Sequence, residues 1–164
     1  MSGSPVDGAL TFRPERDTQA DRNFLYALFA ASKAADMALM PIDLAARDFL
    51  LRAQYRSMTA TYRQNYPTAR WEVVELGEER IGRLITYVGE RFVTYVDIAL
   101  APETQGRGLA TRVMTQALEE PRRLGLPARV SVLARNGASL KLCERVGFVE
   151  VGEIPPFVEL EWRP

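Results

Sequence analysis

Residues 71–100 constrain the fold more than any other part of the chain. Three runs rich in β-branched and aromatic residues, 71–76, 81–88 and 92–100, are separated only by the turn from Gly77 to Arg80 and by Gly89-Glu90. Runs of that texture are strands, and connections that short join neighbours antiparallel, so a three-stranded meander follows. The pattern then changes. Leu109, Val113 and Ala117, with Met114 and Leu118 beside them, recur at helical spacing and predict a helix over 104–124. Pro121 kinks its last turn, because it has no N–H to give to the carbonyl of Ala117. Residues 128–134 alternate as a strand, 138–146 form a short helix ended by Gly147, and 148–154 and 157–162 are two closing strands. Strand, helix, strand, helix in that order requires a partly parallel sheet, which makes the fold class α/β with a mixed sheet.

Upstream, residues 1–9 are rich in Gly, Ser and Pro and read as a flexible N-terminus, leaving 10–164 as one domain. Residues 10–12 form a short strand closed by Pro14. Phe24, Leu25, Leu28 and Phe29 mark a helix from Thr18. Pro41 suits the first position of a second helix, with Leu44, Leu51, Tyr55, Met58 and Tyr62 on one face until Tyr66-Pro67 ends the pattern. That stripe is most simply core. Gln54 and the tyrosines, Tyr55 and Tyr62 with Tyr66 at its end, are its candidates for a substrate pocket.

Absences narrow the chemistry. The chain has no histidine, which excludes Ser-His-Asp, Cys-His and His-ligated metal chemistry. A single cysteine, Cys143, excludes an intrachain disulfide and a multi-Cys zinc site, and fits a reducing compartment. No metal is therefore expected. Lys+Arg and Asp+Glu are both 21, so no basic surface points to nucleic acid. The opening residues lack a basic and apolar leader, and no apolar run approaches the roughly 20 residues that span a bilayer. A cytoplasmic protein without a membrane partner is expected.

After the strand that ends at Leu100 comes A-P-E-T-Q-G-R-G-L-A-T, running into a helix. A helix start offers unpaired N–H groups and the positive end of the macrodipole. Gly106 and Gly108 let a diphosphate approach the backbone without meeting a side chain, and Thr111 can add a hydroxyl. A dinucleotide-binding fingerprint needs another small residue further on, and no Walker A lysine follows. On its own the spacing is weak, since the glycines could merely shape a turn.

The stretch Y-V-D-I-A-L-A-P-E-T-Q-G-R-G-L-A resembles motif A of the GNAT superfamily of N-acetyltransferases. Further on, N-G-A-S-L-K-L-C-E-R-V-G-F, from Asn136 to Phe148, is similar to that superfamily's motif B in spacing and in its Gly-Phe end. The likeness covers residues 93–148. It implies a GNAT fold, in which a bulge splays the fourth strand from the parallel strand beside it and helices cover both faces. It implies acyl-coenzyme A, above all acetyl-coenzyme A, as cofactor, with its pantetheine arm in the gap bonding backbone near Ile98, Ala99 and Leu100. Gln105, Gly106, Arg107, Gly108, Leu109, Ala110 and Thr111 match the diphosphate loop, Asn136 matches an asparagine near the pantetheine, and Ser139 and Cys143 are candidates to line the cofactor. The implied reaction is attack of a primary amine, on a small molecule or a protein, on the thioester in a ternary complex. A GNAT-fold module that binds acyl-coenzyme A without turnover is the alternative, and a homodimer is one assembly the resemblance allows.

One departure matters. Many members carry tyrosine where Cys143 stands, and that tyrosine commonly protonates the departing thiolate. A cysteine sulfur reaches roughly 3 Å from its Cα and a tyrosine hydroxyl roughly 6.5 Å, so Cys143 falls short. A bridging water, a tyrosine from elsewhere, or a thiolate that leaves unprotonated remain open, as does Cys143 as a small buried apolar residue. For the base, Asp97 interrupts an apolar strand beside the expected thioester, although a carboxylate there could equally pair with an arginine. Glu103 is weaker, being a favourable charge at a helix start. Glu72 lies on a strand whose facing the sequence does not fix.

Overall fold

A computed structural model describes residues 8–164. The expected flexible segment thus lies outside the described residues over 1–7. Gly8 and Ala9 are already tied down, the carbonyl of Ala9 accepting from the Gly77 N–H at 2.9 Å.

Seven strands form one mixed sheet: β1 (Leu10–Pro14), β2 (Arg70–Leu76), β3 (Glu79–Val88), β4 (Val93–Leu100), β5 (Ala128–Leu133), β6 (Val149–Ile154) and β7 (Phe157–Trp162), in the spatial order β1-β2-β3-β4-β5-β7-β6. Every neighbouring pair is antiparallel except β4 with β5. The meander read from the sequence is therefore β2-β3-β4. The parallel pair follows because a helical crossover returns the chain along the same direction.

Helices α1 (Gln19–Ala38) and α2 (Leu44–Asn65) cover one face. Thr18 caps α1 through its side chain, which accepts from the Asp21 N–H. Asp21 is wholly buried: Arg13 of β1 grips it through two bonds of 2.8 Å, Arg80 of β3 adds a third, and the Arg16 N–H a fourth. This clamp fixes the start of α1 over β1 and β3, and the Arg13 guanidinium, more than the other partners, holds the Asp21 carboxyl well below the usual carboxylate range. Pro41 does not open α2. Asp43 does, its carboxylate accepting from the Ala46 N–H at 2.8 Å, so the proline sits in the link between helices. Of the stripe expected on α2, Leu51, Tyr55, Met58 and Tyr62 are half-buried, whereas Leu44 in the first turn is exposed.

The opposite face carries α3 (Leu109–Ala117), α4 (Glu119–Leu124) and α5 (Gly137–Arg145), packed on a core of Val74, Leu84, Val93, Leu109, Val113 and Phe148 among others. The helix expected over 104–124 is interrupted twice. Residues 102–104 form a tight 3-10 turn followed by the glycine loop, and the chain breaks again at Leu118, three residues ahead of Pro121. The physical reason for the second break is the one foreseen: Pro121 cannot serve the Ala117 carbonyl. That carbonyl instead accepts from the buried Tyr95 hydroxyl at 2.8 Å, so nothing is left unpaired.

Gly82 permits the close approach of β3 to β4. A Cβ there would lie 2.3 Å from the Ala99 carbonyl oxygen and 2.6 Å from a Leu100 methyl. Because the first of these is backbone, the strands would have to part. Gly82→Ala is expected to destabilise by about 1–3 kcal/mol, read as a fall of several degrees in Tm on thermal unfolding. An unchanged Tm would contradict this packing.

Candidate active site

The site begins where β4 parts from β5. Their register holds for Val93 with Ala128, Thr94 with Arg129 and Tyr95 with Val130, and then ends, while β5 continues paired to β7 alone. The cause is a bulge. Ile85 lies opposite Asp97 but Thr86 opposite Tyr95, so Val96 is an extra residue on β4. Bulges bend their strand and increase its twist. This one also resets the alternation: Tyr95 points to the α3–α4 side, while Asp97 meets Arg83 on the α1–α2 side.

The resulting gap is a cleft of about 840 Å³. Residues 96–99 form one wall and 130–133 the other, with Asn136, Ser139 and Cys143 at one end and Gln54 and Tyr62 of α2 at the other. Eight of the expected site residues meet here: Gln54, Tyr62, Asp97, Ile98, Ala99, Asn136, Ser139 and Cys143. Asn136 is also the cap of α5, accepting from the Ser139 N–H at 3.2 Å.

Leu100 ends β4, with its side chain against the α3 core. The loop that follows is exposed from Gln105 to Gly108, with Leu109 buried beneath it. Gly106 and Gly108 have φ of 75° and 72°, a left-handed backbone that costs glycine little, and no atom lies within 4 Å of where their side chains would be. No side chain caps α3, whose Arg112 N–H reaches the Gly108 carbonyl at 3.1 Å. The preceding amides, through Ala110 and Thr111, therefore form the open donor end of a nine-residue helix. Arg107 lies exposed in the loop itself, and Arg145 reaches across from α5 to the Thr111 hydroxyl at 3.3 Å, which brings its guanidinium to the first turn of α3. Arg145 gave no signal in the sequence beyond its place in the last turn of α5.

Asp97 is paired with arginine. Arg83 donates to one carboxylate oxygen, Oδ2, from both Nη2 (2.8 Å) and Nε (3.1 Å), while Oδ1 accepts no hydrogen bond among the described residues. The Arg83 side chain is 4% exposed and that of Asp97 25%. Burial disfavours the charged guanidinium of Arg83, but the Asp97 charge and hydrogen bonds outweigh it, so the group is held above the usual arginine range. Arg83 further lies 5.5 Å from the Trp71 ring and 5.9 Å from that of Tyr55. Tyr55 is one of the stripe tyrosines offered by the sequence for a pocket, whereas Arg83 was not a site candidate.

Two neutral proton carriers border the cleft. Burial pushes the Cys143 thiol up to about 11, and burial, then the Asp97 charge, pushes the Tyr62 hydroxyl up to about 12. Both stay protonated at neutral pH. Cys143 is expected to resist alkylation at pH 8, where only about one thiol in a thousand is ionised against roughly a quarter for a free cysteine. Rapid labelling of the folded protein would contradict this.

Three candidates stand apart. Glu103 is exposed on the 3-10 turn. Tyr66 packs on Tyr87, ring centroids 5.3 Å apart. Glu72 lies 3.8 Å from Arg70, which in turn binds Glu120 of α4, so it belongs to the opposite face of the sheet.

Residues 40–148 match the family model described as the acetyltransferase (GNAT) family, more than half of the chain. The chain belongs to the GNAT acetyltransferase family. No curated protein matches this GNAT chain in sequence. Its fold recurs in solved structures. The PaiA N-acetyltransferase of Thermoplasma acidophilum in complex with coenzyme A superposes with a TM-score of 0.68 at 12% identity, covering 95% of this GNAT chain and 99% of that one. A GNAT acetyltransferase from Elizabethkingia anophelis with acetyl-CoA bound gives 0.60 at 14%, covering 94% and 98%. A spermidine N-acetyltransferase chimera of Vibrio cholerae SpeG and hSSAT gives 0.62 at 23%, covering 94% and 95%. Among the described residues of the GNAT chain, no helix is long and apolar enough to cross a membrane, and no group of acidic or cysteine side chains is placed to hold a metal.

Proposed function

We propose that this chain transfers an acetyl group from acetyl-coenzyme A to a primary amine, with both bound at once. The observations that carry this reading are the β4–β5 gap, which opens beside Asp97, and the uncapped, glycine-flanked amides at the start of α3, the helix that follows β4 in the chain. The residues fit the donor. Gly106 and Gly108 leave the loop backbone accessible, Arg107 and Arg145 supply countercharge, and the unpaired edge of β4 at Ile98, Ala99 and Leu100 can bond an extended amide arm as a strand would. Asn136 and Ser139 flank that arm.

When bound, acetyl-coenzyme A supplies a thioester carbonyl for the amine to attack. Open N–H groups of β4 stabilise the developing negative charge. A lysine-like amine near 10.4 needs about 4–5 kcal/mol to lose its proton at pH 7. Asp97 takes that proton on Oδ1, directly or through water, while Arg83 anchors the carboxylate through Oδ2. On the leaving side, a thiol near 11 is a weaker acid than a free thiol near 8.5, so proton transfer from Cys143 would run uphill by about 3 kcal/mol. Of the routes left open by the sequence, water or unassisted departure of the thiolate suits this cleft best.

The absence of an effective acid at Cys143 also favours a second reading, a module that binds acyl-coenzyme A without turnover. Thiol release separates the two. With acetyl-coenzyme A and a panel of primary amines, at least one acceptor is expected to raise release well above buffer hydrolysis. Tight binding of the donor with no acceptor-dependent release would replace the enzyme with the module.

A further inference from the structure

A second cavity, of about 770 Å³, lies on the α1–α2 side next to the cleft. Its lining is cationic and incompletely paired. Arg52, Arg56, Thr59 and Arg63 recur along one stripe of α2 and face it together with Arg16 and Arg22. Arg52 is paired with Asp48 and Arg22 with Asp17, but Arg16, Arg56 and Arg63 have no carboxylate within ion-pair distance among the described residues. Arg63 is held in place, its guanidinium 4.2 Å from the Trp71 ring, which also lines the cavity.

Two polar atoms on the same wall are buried without a hydrogen-bond partner, Glu15 Oε1 and Thr59 Oγ1. Both are available to a hydrogen-bond donor that enters the cavity, whether water or a ligand. The Glu15 N–H is fixed to the Trp71 carbonyl at 2.9 Å, and both residues line the cavity. Only one layer of side chains separates this cavity from the cleft. Arg83 binds Asp97 on the cleft side, and its Nη1 lies 3.5 Å from the hydroxyl of Tyr55, which lines the cavity; Leu25 borders both spaces.

We infer that this cavity holds the remote, negatively charged end of the acceptor: the substrate is a small amine that carries a carboxylate or phosphate group. Arg56, Arg63 and Arg16 take the anion, and a hydroxyl or amide N–H of the same molecule serves Glu15 and Thr59. This inference rests on the acetyl-transfer reading above, since it places the amine at Asp97 and the charge across Arg83. Forked guanidiniums suit both anions, so the test distinguishes them.

The experiment uses matched amines: ethanolamine against O-phosphoethanolamine, propylamine against β-alanine, and spermidine as a polycation. Thiol release is expected to favour at least one anionic member over its uncharged match by tenfold or more in kcat/KM, and Arg56→Gln with Arg63→Gln should bring that ratio close to one. A second readout does not depend on turnover. Trp71 fluorescence should change as the preferred anionic amine is added, and Trp71→Phe, or the double arginine variant, should abolish the change. Equal use of charged and uncharged amines, a preference for spermidine, or a ratio that survives the double variant overturns the inference. A Trp71 response with no thiol release from any amine would instead overturn the acetyl-transfer reading, and the acceptor assignment with it.

Discussion

Asp97→Asn is expected to lower acceptor-dependent thiol release at neutral pH by at least about a hundredfold, the usual scale for losing a positioned base. It should also weaken the fold. Arg83 keeps a hydrogen-bond acceptor but loses its countercharge, and at 4% side-chain exposure it has almost no water to replace it. Stranding one partner of a buried pair costs about 3–5 kcal/mol; Asp97 is itself a quarter exposed, so the lower end applies. In a chain of this length that corresponds to a drop in Tm of about 6–12 °C. Lost stability alone could mimic lost catalysis, and a double variant separates them. Arg83→Met with Asp97→Leu removes both charges, so it should recover much of the stability while leaving turnover as low as in Asp97→Asn. Turnover that returns with stability would reduce Asp97 to a structural partner.

The second large effect falls on the loop. Gly108→Val forces a β-branched residue into a backbone with φ of 72° at the start of α3. Nothing crowds a side chain there, so the core is untouched. The penalty is local, about 1–2 kcal/mol for the left-handed conformation and somewhat more for the branch. The loop relieves it by turning its amides away. Coenzyme A affinity should fall at least about a hundredfold by calorimetry, with Tm lowered by only a few degrees. Affinity within a few-fold of the unaltered protein would mean that the diphosphate binds elsewhere.

The meander was legible because its turns are short and its strands textured, and both are local properties. The loop and the Asn136 helix were legible for the same reason, each being a contiguous stretch with its own backbone requirement. What escaped was decided across the sheet. Tyr95 and Asp97 are two residues apart and would share a face in a regular strand, but the extra residue at Val96 sends them to opposite sides. The facing of Glu72 likewise depended on which helix pair covered which side, and it fell with Arg70 and Glu120 rather than with Asp97. Arg83 was invisible because its partner is fourteen positions away and only strand pairing brings them together. The expected helix start at Pro41 gave way to Asp43, whose side chain accepts a backbone hydrogen bond, whereas a proline ring only presets an angle. Residues 104–124 show the converse. The apolar stripe was correct, but periodicity does not record where a left-handed glycine or a missing donor interrupts the backbone.

The central claim concerns where the donor lies, and amide chemical shifts test it most directly. In a titration of the ¹⁵N-labelled protein with acetyl-coenzyme A, the largest perturbations are expected at the amides from Gly106 to Thr111. A second set should appear at Ile98, Ala99 and Leu100, along the edge that β5 leaves unpaired. A spectrum that does not change at these positions, whether the ligand binds elsewhere or not at all, would contradict the account.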